Sequence, residues 1–110
     1  NEILIDRGDL SREIKIEMIP LIQRKIVSIA NSNNVPVFVA TNLLESMVSS
    51  LQPNRAEVND VISTLQMGAD GLVLAAETAI GEYPVKSAEM IKLLIEQFNK
   101  WDENTILDEI

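Results

Sequence analysis

The chain alternates short unbroken apolar runs with longer stretches in which apolar residues return every three or four positions. Ile3-Leu4-Ile5 is continuous and stops at Asp6-Arg7-Gly8-Asp9, the pattern of a strand buried on both faces that delivers a polar loop. From Glu17 to Asn31, Met18, Ile19, Ile22, Ile26, Ile29 and Ala30 share one side while Gln23, Arg24, Lys25 and Ser28 take the other. That period predicts an amphipathic helix, with Pro20 tolerated only in its first turn. Val35 to Ala40 predicts a second buried strand, entered at Pro36, where a missing N–H does least harm.

Leu43, Leu44, Met47 and Val48 predict two helical turns. Asn54 with Glu57 three residues later has the form of a capping box, opening a helix whose buried stripe is Val58, Val61, Ile62 and Leu65. Gly68 stands where a left-handed C-terminal cap belongs. Gly71 to Leu74 predicts a third strand and Ala75 to Ala79 a loop; Pro84 then opens a last helix with the face Ala88, Ile91, Leu94, Ile95, Phe98 and Trp101. Residues 102–110 are acidic and lose the period, which predicts a linker or tail beyond a domain of residues 1–101.

Strands beginning at residues 3, 35 and 71, each followed by a helix, have the spacing of βα units in a parallel sheet. Three such strands alone leave two apolar edges unpaired. The expected fold is therefore α/β: three βα units of a parallel (β/α)8 barrel of the TIM type, incomplete on its own. A small doubly wound sheet is the competing topology. Arg7-Gly8-Asp9, Thr41-Asn42 and Glu77-Thr78 all follow strand ends, the face on which either architecture places its sites. The open edges also predict a homo-oligomer.

Composition narrows the chemistry. Among 110 residues, 17 Asp and Glu against 9 Lys and Arg give a net charge of -8, which argues against nucleic acid and anionic membrane surfaces as partners. The chain has neither Cys nor His, which removes disulfides, thiolate and imidazole metal ligands, and His-dependent acid, base or nucleophilic catalysis. No apolar run approaches the ~20 residues of a membrane span, and Asn1-Glu2 does not begin a signal peptide. A soluble, cytoplasmic protein is expected, and its abrupt start fits a piece cut from something longer.

At a strand end, Arg-Gly-Asp has a physical use. Gly lets backbone N–H groups approach an anion, Asp offers a hard oxygen for Mg²⁺, and Arg can clamp a carboxylate or phosphate. The plain alternative is a glycine turn beside a local ion pair; a cell-adhesion motif is the remotest reading. Thr41 can equally cap the helix after it, Glu57 belongs to its capping box, and Arg55 reads as a solvated charge or a partner contact. Glu77, between Ala75-Ala76 and Ala79, is costly to bury unless paired.

Taken together, these residues resemble a known family. Arg7-Gly8-Asp9-Leu10, Pro36-Val37, Ala40-Thr41, Leu44-Glu45-Ser46-Met47, Pro53, Arg55-Ala56-Glu57, Asp60-Val61, Gly68-Ala69-Asp70, Glu77-Thr78-Ala79 and Gly81 before Tyr83-Pro84 follow the order and spacing of the later barrel domain of pyruvate kinases, from Ile3 to about Trp101. The resemblance implies a phosphotransferase of glycolysis that moves the phosphoryl group of phosphoenolpyruvate to ADP, giving pyruvate and ATP. It implies Mg²⁺ (or Mn²⁺) and K⁺ as cofactors. Asp9 matches the family's Mg²⁺-ligating Asp, the backbone of Gly8 and Asp9 the part that receives the substrate carboxylate, and Thr41 the substrate-binding Thr. Arg7 belongs to the same substrate site, and Glu77 and Arg55 are candidates for supporting or interface roles.

There are departures. Asp6 stands where the family has Ala, Ser11 where it has Gly, Asn42 where it has Gln, and Ala75-Ala76 where it has Ser-Gly, so a hydroxyl linked to proton relay is missing. The family's catalytic Lys and second metal carboxylate precede Arg7-Gly8-Asp9 by one strand, and its K⁺ and nucleotide contacts lie earlier still, outside these residues. Lys15 and Lys25 read as helix surface. The isolated chain is accordingly expected to be inactive. Asp6 and Ala75-Ala76 favour a non-catalytic paralogue with an assembly or regulatory role, whereas Arg7-Gly8-Asp9 with Thr41 favours a piece of the enzyme. A different phosphoenolpyruvate or pyruvate enzyme on the same barrel is a third reading.

Overall fold

Ile5, Val39 and Leu72 stand in register across three parallel strands. In the computed structural model, which describes residues 1–40 and 43–101, these strands are β1 (Ile3–Asp6), β2 (Val37–Ala40) and β3 (Gly71–Val73), in the order β1-β2-β3. Register partners in a parallel sheet share a face, and faces alternate along each strand. Ile3, Ile5, Val37, Val39 and Leu72 therefore face one side, and Leu4, Asp6, Phe38, Ala40, Gly71 and Val73 the other.

The helices cover the first side. They are α1 (Arg7–Glu13), α2 (Ile19–Ser32), α3 (Arg55–Gln66), α4 (Ala76–Ala79) and α5 (Pro84–Lys100), with 3₁₀ turns at Ile16–Met18 and Glu45–Val48. Val27 and Ala30 of α2 pack on Ile5, Val37 and Val39. A second cluster joins Leu43, Leu44 and Met47 to Val61 and Leu65 of α3, with Leu72 and the α5 residues Ile91, Leu94 and Phe98 against it. On the opposite face Leu4 and Val73 are exposed. Sequential parallel strands with their apolar packing on one face form a stretch of barrel wall rather than a doubly wound sheet, which is covered on both faces.

Several local expectations change. The strand Ile3-Leu4-Ile5 is not buried on both faces, because Leu4 is 59% exposed. Val35 and Pro36 precede β2, and Leu74 follows β3. The two predicted turns from Leu43 are a single 3₁₀ turn, Glu45–Val48, and the predicted loop after β3 contains α4. On α2, Gln23 is buried while Ile29 is exposed, as is Met18 just before the helix. The helix is rotated because it packs on α3 as well as on the sheet, where Gln23 donates weakly to Thr64 Oγ1 at 3.5 Å and to Met67 Sδ at 3.4 Å. On α5, Ala88 is exposed, as is Trp101 just after the helix, and Ser87 is buried, its hydroxyl donating to the Tyr83 carbonyl at 2.8 Å.

Other signals act as read. Asn54 and Glu57 form a reciprocal capping box on α3, and Pro84 opens α5. Gly68 has φ +109°, a backbone that L side chains rarely adopt. The predicted tail, residues 102–110, lies outside the described residues.

Candidate functional site

The C-terminal end of β1 runs directly into α1. Asp6 is the N-cap, with extended backbone angles, and its Oδ1 accepts from the amides of Gly8 at 2.9 Å and Asp9 at 3.2 Å. Arg7-Gly8-Asp9 is thus the first turn of a helix rather than the expected polar loop. The signal was Asp6 itself: an Asp immediately before a helical stretch satisfies amides that the helix leaves unpaired. The two amides that the resemblance assigns to a substrate carboxylate carry a carboxylate of the chain's own. Ser11, one of the departures, donates its hydroxyl back to the Gly8 carbonyl at 2.8 Å.

Arg7 and Asp9 diverge from this turn. Arg7 reaches α3, its Nη1 lying 2.8 Å from Asp60 Oδ1, with the two side chains 14% and 34% exposed. A charge-assisted bond at this depth contributes on the order of 1 kcal/mol. It ties the turn after β1 to the next βα unit. Beside it lies a cleft of about 230 Å³ lined by Arg7, Gln23, Arg24, Asp60 and Ser63. Asp60 gave no signal of this in the sequence, since the partner is 53 residues away.

Asp9 points elsewhere. It borders a cleft of about 250 Å³ with Leu4, Asp6 and Leu10 along the open edge of β1. Its side chain is 70% exposed and meets only a loose ion pair, 3.7 Å, with the 81% exposed Arg12. An exposed carboxylate that is weakly held suits a hard cation. Among the described residues no three acidic side chains cluster to hold a metal alone. Mg²⁺ is commonly bound by one or two carboxylates with waters and substrate oxygens, so Asp9 fits as one ligand of such a site, with Asp6 directed to its amides.

Thr41 and Asn42 lie outside the described residues. The chain on either side of them is held firmly: Ala40 stands in register with Asp6 and Val73, and Leu43 and Leu44 are buried. Glu77 of α4 is 1% exposed. Its Oε2 accepts from the Leu44 amide at 2.9 Å and its Oε1 from the Ala75 amide at 3.1 Å. The expected cost of burying this residue is thereby offset by two backbone donors rather than by a cation. Arg55 is exposed at the first position of α3, beyond the capping residue Asn54. The structure therefore gathers Gly8 and Asp9 at one strand end, turns Arg7 to α3, buries Glu77 between two loops and leaves Arg55 at the surface.

Known proteins bear on this arrangement. Residues 1–88 match the family model described as pyruvate kinase, barrel domain. Pyruvate kinase 2 of Synechocystis sp. is 39% identical over 102 residues, 93% of this chain and 17% of that protein. A pyruvate kinase of Thermotoga maritima is 40% identical over 98 residues, 89% of this chain and 21% of its own length. A chloroplastic pyruvate kinase isozyme of Ricinus communis is 44% identical over 88 residues, 80% of this chain and 21% of that protein. The crystal structure of a pyruvate kinase from Cryptosporidium parvum superposes with a TM-score of 0.89 at 35% identity, covering 93% of this chain and 21% of that one. The chain spans about a fifth of the length of these relatives.

Proposed function

This chain belongs to the pyruvate kinase family, and from that premise we propose that it supplies the substrate-side share of a site for phosphoryl transfer from phosphoenolpyruvate to ADP. Asp9 is the metal ligand, Thr41 holds the acid, and Arg7 fixes the turn that carries Asp9. The observation that carries this reading is the exposed Asp9 carboxylate at the C-terminal end of a barrel strand. Phosphoryl transfer depends on positioning and charge neutralisation more than on covalent catalysis. A bound Mg²⁺ or Mn²⁺ would supply that charge. A carboxylate and a hydroxyl are suitable parts for it even in a chain without His.

By itself the chain should not turn over, since Asp9 is the sole metal carboxylate that the resemblance assigns to it. K⁺ remains an expectation of the family, with its residues elsewhere. Two further parts of the proposal rest on the sheet and the composition: self-association through the open edges of β1 and β3, and a cytoplasmic setting. Among the described residues no helix is long and apolar enough to cross a membrane.

The test is a titration with Mn²⁺ followed by water-proton relaxation, with and without oxalate, a planar mimic of the enolate. Weak Mn²⁺ binding that oxalate strengthens and Asp9→Ala removes supports the reading. Binding unaffected by Asp9→Ala at millimolar metal sinks it.

One observation favours the rival reading of a non-catalytic paralogue. Asp6 already occupies the Gly8 and Asp9 amides, so an incoming carboxylate must displace a tethered one. If the wild-type chain does not bind oxalate and Asp6→Ala does not restore binding, the paralogue reading gains.

A further inference from the structure

The cleft of about 230 Å³ beside Arg7 opens between α2 and α3 and shares no lining residue with the cleft that Asp9 borders. It is smaller than the roughly 300–1,000 Å³ that drug-sized ligands occupy, so it suits a ligand of few atoms. Ile19, Pro20 and Met67 give it an apolar wall. Its polar groups come from both helices, Gln23 and Arg24 from α2 and Asp60 from α3.

These three groups have bonding capacity to spare. Gln23 is 4% exposed, and its Nε2 makes the two long contacts to Thr64 and Met67, while no described group donates to its Oε1. No fully buried side-chain oxygen or nitrogen among the described residues lacks a partner, so this oxygen is open, and the cleft is what opens it. Asp60 gives Oδ1 to Arg7 at 2.8 Å and keeps Oδ2. Arg24 enters none of the ion pairs among the described residues. The cleft thus presents one cation outside any ion pair, one carboxylate oxygen and one neutral acceptor.

We infer that this cleft is a binding site for a small zwitterion, its carboxylate on Arg24 and its ammonium group shared by Gln23 Oε1 and Asp60 Oδ2. A guanidinium suits a carboxylate, and an ammonium group brings three donors to acceptor oxygens. Ligands of a single charge are disfavoured on both sides. A simple acid would face the Asp60 carboxylate and leave both acceptors unused, and a simple amine would face Arg7 and Arg24. The apolar wall takes a short aliphatic substituent, so an amino acid with a small side chain meets every part. The inference is independent of the phosphoryl-transfer reading, because it uses neither Asp9 nor a metal.

The test follows backbone amide shifts of the full, isotope-labelled chain during titration with L-alanine at constant ionic strength. Propionate, which lacks the ammonium group, and ethylammonium, which lacks the carboxylate, are titrated beside it. L-Alanine should give saturable shifts around Gln23 and Ser63 in the millimolar range. Each analogue should bind about tenfold more weakly, the usual effect of losing a charge-assisted hydrogen bond. Arg24 is exposed, so Arg24→Gln should fold as the wild type does and weaken L-alanine by about tenfold. Gln23→Met keeps the length of the side chain without its acceptor and should weaken L-alanine by about fivefold. Propionate binding as tightly as L-alanine overturns the inference in favour of a plain anion site. So do shifts that fail to saturate, or L-alanine binding that Arg24→Gln leaves unchanged, a result that needs no alteration of the core.

Discussion

The carboxylate of Asp6 lies 2.9 Å from the backbone nitrogen of Gly8 and closes the N-terminus of α1 from within the chain. The cap stabilises the turn that presents Asp9, and it does so by occupying the amides that the proposed function would offer to an external acid.

Asp6→Ala should therefore have two opposed effects. Loss of the cap should cost about 0.5–2 kcal/mol of stability, read as a lower midpoint in urea. Oxalate, in the presence of Mn²⁺, should bind more tightly than to the wild type. A variant that is destabilised but binds oxalate no better would show that Asp6 is a cap and no competitor.

Arg7 and Asp60 join the first βα unit to the second. Asp60→Ala leaves a largely buried guanidinium without this partner, so the loss should be about 1–2 kcal/mol, measured by chemical denaturation. Arg7→Met should cost a similar amount, and the double variant less than the sum of the two. Strict additivity would mean that the 2.8 Å contact contributes no coupling.

Leu44 is fully buried in the cluster formed with Met47, Val61 and Leu65. Leu44→Ala removes most of a core side chain while leaving its backbone amide with Glu77, and should cost about 2–5 kcal/mol. A melting temperature equal to that of the wild type would place this cluster outside the cooperative core.

At Gly68 the backbone has φ +109° and a Cβ would collide with the side chain of Asn31. Gly68→Ala should destabilise by more than about 1 kcal/mol. A neutral or stabilising result would mean that the link between α3 and β3 relaxes freely.

Much of this was legible in the order of residues, because the signals are local. Three apolar runs at the spacing of βα units announce parallel strands, and Asn54 with Glu57 announces a helix start whose hydrogen bonds span three residues. The block from Arg7-Gly8-Asp9 to Tyr83-Pro84 was enough to point to the family, since motif order survives without coordinates. What remained hidden depends on neighbours distant along the chain. Gln23 looked like the solvent side of α2 until α3 was set beside it. Arg7 looked like an anion clamp until Asp60 arrived from 53 residues away. Glu77 had no visible partner, because the groups that hold it are backbone amides, which every residue but Pro carries and no letter of the sequence marks. The sequence by itself determined the three strands, the long helices α2, α3 and α5 and which strand ends bear polar residues, for those choices follow from local period and turn chemistry, while the short helices α1 and α4 read as loops. Only the tertiary structure decided that the helices share one face of the sheet, that Asp6 closes the amides of Gly8 and Asp9, and that Glu77 bridges two loops, since each of these is settled by which surfaces come together when the chain packs.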